Sequence, residues 1–328
     1  MEKYLLSILI PVYNASKFLN RCIDSIVKQK EFNNNVEIVI INDGSKDNSL
    51  EIINSYISKY NNIHVISREN QGIGPTRNEL LDNTHGKYFW FVDADDYISK
   101  DSLSKIIPLL QSDSYDMLLL SYYWGSNEKG KNVVYSGEYE SGLDLTDKDI
   151  HNNSLWTRVY RTSIINDKKI RFNMLQMGED FDFIIRITPK LGRIKCVEDV
   201  LYYYILNPYS AILNPDLNKR IKSCEDSLKC LDYINNFVKK QNNDVKSILK
   251  KHVFFFVSGL IIAIYSYPFP IQYKLDIFNR LSNMDVLPWK PLPQNFKKKI
   301  LFMIVNNRWT RYISIYLNNL ILHVKSIK

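Results

Sequence analysis

Gly86–Ile98 reads GKYFWFVDADDYI: five apolar or aromatic residues in a row, then three aspartates within four positions. A run such as Tyr88–Val92 has the continuous hydrophobicity of a strand buried on both faces. Moving toward the N-terminus, the same pattern recurs at Leu5–Val12 (LLSILIPV), Val36–Ile41 (VEIVII) and Ile63–Ile66. Between these runs, Ser16–Lys28, Asp47–Tyr60 and Gly74–Leu81 carry apolar residues at spacings of three and four, and Asp101–Leu110 follows the quoted stretch in the same way. Strands alternating with amphipathic helices predict an α/β fold with a mostly parallel sheet flanked by helices. Such sheets bind ligands beyond the carboxyl ends of their strands.

Beyond residue 110 the pattern changes. Asp116–Tyr123 reads as another strand, 125–150 as a polar loop or small hairpin, and Ile194–Ile205 as a strand pair or one bent strand. After about residue 215 helices dominate: Leu217–Lys240, Val245–Tyr267, Gln272–Leu281 and one long amphipathic helix over Lys298–Ser326, the last preceded by a linker with Pro288, Pro291 and Pro293. The expected division is 1–215 and 216–328.

The 328 residues carry a net charge of +8, and its placement is informative. Residues 290–328 hold eight Lys and Arg and no Asp or Glu, while the other 35 basic side chains equal the 35 acidic ones. A basic tail of this kind attracts an anionic lipid surface, nucleic acid or phosphate. Its apolar positions Leu301, Val305, Trp309, Tyr312, Ile313, Tyr316, Leu320 and Val324 form one expected stripe, with Arg308 and Arg311 at the margins. That stripe suits a membrane interface; a helix closing over the rest of the chain, or a homodimer contact, would use it equally well. Cys22, Cys196, Cys224 and Cys230 form no CxxC pair, which fits a reducing compartment. No apolar run reaches the ~18 residues of a membrane span, Val253–Tyr267 coming nearest, and the N-terminal apolar run meets Pro11 and Asn14 too early for a signal peptide.

The loops after the strands hold the chemistry. Pro11, Val12, Tyr13 and Asn14 follow the first, Asn42-Asp43-Gly44-Ser45 the second, and Asp93-Ala94-Asp95-Asp96 the fourth, so carboxylates converge on one sheet edge. Three adjacent aspartates repel one another unless cations or donors compensate. Mg²⁺ or Mn²⁺ would do so and would bridge a diphosphate; a plain turn with Asp96 or Asp101 capping the next helix uses the same residues. Asp43 would accept a base N–H, or serve an Asp-Gly turn. Asn70–Asn78 (NQGIGPTRN) places Arg77 where it would reach a phosphate, or solvent.

In order, SILIPVYNASKFLNRCIDSI, EIVIINDGSKDNSLEII, ENQGIGPTRNELL and GKYFWFVDADDYI resemble glycosyltransferase family 2, of the GT-A fold, over about the first 110 residues. Thr76 departs mildly from the family's usual alanine. The resemblance implies that Pro11, Val12, Tyr13 and Asn14 line the nucleotide base pocket, that Asp43 holds the base, that Asp93 meets the ribose beside Ala94, and that Asp95 binds the metal gripping the diphosphate. More loosely, LWTRVYRTSII (Leu155–Ile165) is similar to a W-x-K-L-Y-R segment of capsule and cell-wall relatives, with Arg158 replacing Lys, and GEDFDF (Gly178–Phe183) to their acidic motif. On that likeness Asp180 is the general base, its proton affinity raised by Glu179 and Asp182, with Glu179 as the fallback; a capped helix start is the other reading. Asp96, Trp156, Arg158 and Glu179 are expected donor or acceptor contacts, Trp156 serving equally well as core. The implied activity is metal-dependent transfer, with inversion, of a sugar from a nucleotide sugar (UDP favoured over dTDP) to a hydroxyl of a lipid-linked cell-surface glycan. It would take place in the cytoplasm at the inner membrane face, with no nucleic acid involved. A nucleotidyltransferase would want a basic, Gly-rich loop after the first strand, where PVYNASKF stands. A lipid- or nucleic-acid-binding protein without catalysis would leave the aspartate cluster without a role.

Overall fold

The computed structural model describes residues 3–126, 129–148, 150, 152–165, 170–175, 177–206, 216–289 and 296–326. Pro291 and Pro293 of the expected linker lie outside them. The N-terminal half runs β1 (Tyr4–Val12), α1 (Ser16–Val27), β2 (Val36–Asp43), α2 (Ser49–Ile57), β3 (Ile63–Arg68), α3 (Ile73–Asp82), β4 (Gly86–Phe91), β5 (Tyr97–Ile98) and α4 (Ser102–Gln111). Then come β6 (Met117–Gly125), β7 (Gly130–Val133), β8 (Glu138–Tyr139), α5 (Gly142–Asp147), β9 (Arg158–Arg161), α6 (Glu179–Ile187) and β10 (Ile194–Ile205).

These strands form one sheet in the order β3-β2-β1-β4-β9-β6-β10-β5, with β7 on β6 and β8 on β10. Strands β3, β2, β1 and β4 are parallel neighbours, as are β6 and β10. β9 lies antiparallel between β4 and β6, so the strands on either side of it share a direction. Side chains alternate across the sheet with a period of two. Ile8 and Trp90 point into the layer shared with α1, α2 and α4, and Leu9 and Phe91 into the layer shared with α3 and α6. The expected α/β architecture is therefore present. Ile194–Ile205 is one strand, bent where its register on β6 shifts between Val197 and Tyr202.

The C-terminal part is helical: α7 (Leu217–Lys239), α8 (Asn243–Ser266), α9 (Ile271–Asn283), α10 (Phe296–Asn306) and α11 (Arg308–Ser326). Two expectations change here. The last helix is two helices, broken at Asn307, whose side-chain oxygen accepts from the Trp309 and Thr310 amides in an N-cap role. And α8, which begins at Asn243, is long and apolar enough by length and composition to cross a membrane. Here it packs in the protein, burying Leu249, Val253, Val257, Ile261 and Ile264 in a core shared with α7, α9, α10, α11 and, from the N-terminal half, Phe181 and Ile185 of α6.

Candidate active site

The loops at the carboxyl edge of the sheet are laced together by polar contacts. Asn14, at φ 50°, receives the Lys46 amide on Oδ1 at 2.7 Å, and its own amide donates to Ser45 Oγ at 3.0 Å. The Ala15 and Ser16 amides donate to Ser49 Oγ and Asp47 Oδ2, both at 3.0 Å. Partial burial would raise the Asp47 pKa, yet the hydrogen bonds from Ser49 and Ser16 hold its carboxyl down to about 2. Pro11 and Val12 close β1, while Tyr13 turns outward, 55% exposed, at the mouth of this junction.

Asp43 ends β2 with its carboxylate buried. Arg68 Nη1 and the Gln71 amide (2.9 Å) donate to one oxygen; the Gly72 amide (2.9 Å) and Asn70 Nδ2 (3.2 Å) donate to the other. Gly44 sits at φ +72°, and a Cβ there would lie 2.6 Å from the Asn70 amide nitrogen, so glycine lets these two loops touch. Arg68 also donates to Glu79 and to Thr76 Oγ1. No pattern in the sequence marks this residue's role, since an Arg two positions before Asn70 looks like surface. A carboxylate offers about four acceptor positions, and a base N–H at Asp43 would exchange with one of these donors, the longest being Asn70.

Arg77 gathers the carboxylates. Buried on α3, it donates from Nη1 to Glu179 at 2.7 Å and to Asp180, and its Nη2 lies 3.6 Å from Asp93. Its guanidinium also faces the rings of Phe91 and Phe172. Burial works against its charge, but Asp180, Glu179 and Asp93 outweigh it and push its pKa up. Arg77 thus points into the acidic cluster and not to solvent. Burial, opposed by Arg77 and reinforced by Asp180 and Asp95, raises Asp93 to about 6. Burial and the neighbouring Asp180 raise Glu179 to about 7, against the pull of Arg77. Asp180 also receives the Leu155 amide at 3.4 Å, which ties α6 to the turn before β9.

The 93–96 loop divides its side chains. Asp93 and Asp95 are partly exposed on the site side, and Ala94 is buried. Asp96 is 1% exposed and faces inward, accepting from Tyr202 Oη at 2.8 Å and the Ile205 amide at 3.0 Å. Burial, then repulsion from Asp93 and Asp95, lifts its pKa well above the carboxylate range. The expected contact of Asp96 with donor or acceptor is therefore replaced by an anchoring role. Tyr202, which sequence reasoning missed, also accepts the Asp93 amide at 3.1 Å.

Burial decides three further expectations: it selects the core alternative for Trp156 and corrects those for Arg158 and Asp182. Trp156 is 6% exposed, stacked on Tyr202 (4.4 Å) and Tyr204 (5.4 Å), and belongs to the core. Arg158 is 3% exposed and donates to the Ser154 and Asn152 carbonyls, both at 2.6 Å, holding a turn in place of a ligand. Asp182 is fully buried with Arg186 and Asn173 and does not join Asp180. Its nearness to Asp180 in sequence is undone by the helical turn, which points side chains two positions apart about 200° from each other.

Among the described residues no three His, Cys, Asp or Glu converge on a point that would hold a metal alone. Mg²⁺ and Mn²⁺ are commonly held by one or two carboxylates and completed by substrate phosphates. Asp95 beside Asp93, in a cluster where the Arg77 guanidinium faces three carboxylates, is a donor set of that kind.

Residues 7–168 match the family model described as Glycosyl transferase family 2. A poly(ribitol-phosphate) beta-glucosyltransferase of Bacillus spizizenii is 32% identical over 204 residues, 61% of this chain and 32% of that protein. The poly(ribitol-phosphate) beta-N-acetylglucosaminyltransferase TarS of Staphylococcus aureus is 30% identical over 200 residues, 60% of this chain and 35% of that one. The chain thus spans about a third of the length of both relatives. The crystal structure of TarS residues 1–349 in complex with UDP-GlcNAc superposes with a TM-score of 0.67 at 22% identity, covering 94% of this chain and 92% of that one. A mannosyltransferase of Pyrobaculum calidifontis in complex with GDP-Man and Mn²⁺ shares the fold at TM-score 0.56 and 12% identity, covering 96% and 86%.

Proposed function

Because the chain belongs, through residues 7–168, to glycosyltransferase family 2, we propose that it transfers a sugar, with inversion, from a UDP-sugar to a hydroxyl of a growing cell-surface glycan. The observation that carries this reading is the single guanidinium of Arg77, which joins Asp93 of the 93–96 loop to Asp180 at the start of α6. It brings the residue proposed to meet the donor ribose and the residue proposed as base to one place. UDP and UDP-GlcNAc as ligands of TarS support a nucleotide-sugar donor.

In the reaction the acceptor oxygen attacks the anomeric carbon on the face opposite the diphosphate. Its proton passes to Asp180, and the bond to the diphosphate breaks with its electron pair leaving on the nucleoside diphosphate. Asp43 and the Pro11–Asn14 segment, with Ala94 behind them, hold the base and ribose. Glu179, sharing Arg77 with Asp180, is the fallback base. A Mg²⁺ or Mn²⁺ ion, when bound at Asp95 with the diphosphate, would neutralise charge on the leaving group. We further place the donor-binding and catalytic part in 1–215 and a helical part in 216–328. The acceptor is a lipid-linked saccharide, and the chain works in the cytoplasm at the inner membrane face.

The test is thermal stabilisation by UDP with Mn²⁺, then release of UDP from a panel of UDP- and dTDP-sugars in the presence of lipid-linked acceptors. Asp95→Ala should lose the metal-dependent stabilisation. Asp180→Asn should keep it and lose transfer. A wild-type chain indifferent to UDP with Mn²⁺ would refute the donor assignment, and normal transfer by Asp180→Asn would move the base elsewhere.

A further inference from the structure

Eight of the fifteen large apolar side chains exposed among the described residues lie on α10 and α11. They are not scattered. Phe296, Ile300 and Met303 follow one face of α10, and Trp309, Ile313 and Leu317 one face of α11, at spacings of three and four. Tyr312 and Tyr316 stand beside them, hydroxyl to hydroxyl at 3.0 Å. The opposite faces are already committed to the core. Phe302, Val305 and Ile315 are fully buried. Lys274 Nζ of α9 donates to Asn318 at 3.0 Å, Tyr265 of α8 bonds Ser314 at 2.7 Å, and Arg311 lies over the Phe278 ring. Arg311 is thus an inward residue and not a margin of the stripe, and the single stripe expected from sequence is split: Val305 points in and Trp309 out. Each helix has two apolar faces, and among the described residues the second is exposed.

We propose that the outward face of α10 and α11 is the surface by which this protein docks on an anionic lipid bilayer. The inference rests on the membrane-side part of the function proposed above and not on its transfer chemistry. Charge selects the occupant. Lys297, Lys299 and Arg308 are exposed beside the apolar face, and residues 290–328 contain no acid while the rest of the chain is balanced. A second copy packed on this face would set like charges against each other across a two-fold contact. An anionic headgroup layer pairs with them, while Trp and Tyr rings settle at headgroup level and the aliphatic side chains reach the acyl boundary.

The full chain should sediment with vesicles of mixed phosphatidylglycerol and phosphatidylcholine and stay in solution with vesicles of phosphatidylcholine alone. Trp309, 78% exposed in water, should shift its emission to the blue on binding. Lys297→Glu with Lys299→Glu should weaken binding at least roughly tenfold, since each cation near such a surface contributes about fivefold, and separately Trp309→Ser with Ile313→Ser should weaken it by removing the apolar surface that enters the interface. All four positions are exposed, so thermal midpoint and stabilisation by UDP with Mn²⁺ should be unchanged. That control separates the two readings: docking with no UDP response defeats the donor assignment alone, and a UDP response without docking defeats this inference alone. The inference is overturned by absence of sedimentation with anionic vesicles, or by binding indifferent to both variant pairs. It is equally overturned by a wild-type dimer that Ile313→Ser converts to monomer without any vesicle binding.

Discussion

Replacing Glu179 by Gln should make this protein more stable at alkaline pH while leaving it nearly unchanged at mildly acid pH. The Glu179 carboxyl is raised from 4.5 to about 7 by burial and by Asp180, only partly offset by Arg77. Its folded pKa lies above its unfolded one, so its contribution is fully favourable below pH ~4.5 and is lost as pH rises through about 7. A rise of this size corresponds to about 3 kcal/mol between those limits. Glu179 shares the Arg77 guanidinium with Asp180, so its carboxyl stays beside a negative neighbour that a neutral side chain would relieve. A glutamine side chain at this position would still accept from Arg77 Nη1 but would carry no charge to desolvate, so the variant should recover about 2 kcal/mol or more at alkaline pH. Urea unfolding followed by circular dichroism, at mildly acid and at alkaline pH for both proteins, gives a difference of differences in which titrations distant from Glu179 cancel. Parallel pH dependence of the two proteins would refute the reasoning, as would an equal loss of stability under both conditions.

Arg68→Lys keeps the charge but not the fork that reaches Asp43, Glu79 and Thr76 together, and calorimetric titration should show UDP affinity reduced by about tenfold; unchanged affinity would mean Asp43 does not depend on Arg68. Gly178 and Gly259 should respond to alanine with opposite signs. Gly178, at φ +88° with Cys230 Sγ 2.9 Å from where a Cβ would stand, should lose about 1–3 kcal/mol. Gly259, inside α8 with open space around it, should gain about 0.5–1 kcal/mol; thermal denaturation of both variants checks the pair.

The sheet was legible because its evidence is local. Runs such as Leu5–Val12 and Tyr88–Val92 announce buried strands, and the aspartates follow where such strands end. What was not legible is where a polar side chain goes once the chain has folded. Asp95 and Asp96 are neighbours in sequence, yet one faces the site and the other is bonded to Tyr202 and Ile205, 106 and 109 residues away. Asp180 and Asp182 part in the same way along α6. Trp156 and Arg158 stand in a segment that looks functional, yet Trp156 stacks on Tyr202 and Tyr204 of β10 and Arg158 donates to the Asn152 and Ser154 carbonyls of its own turn. Arg68 was invisible for the converse reason: its partners Asp43 and Glu79 are 25 and 11 residues off, and no spacing rule connects them.

Helix α6 faces three ways at once. Its first turn presents Glu179 and Asp180 to Arg77, Phe183 and Ile187 lie under the sheet, and Phe181 stacks on Phe256 of α8 at 4.5 Å with the rings 1° from parallel. The helical bundle is therefore not cargo hung on the sheet. A chimera that grafted residues 216–328 from another protein onto this one would cut through a shared core, and would have to import Leu175, Phe181 and Ile185 with the graft or leave the two acidic residues on an unsupported helix.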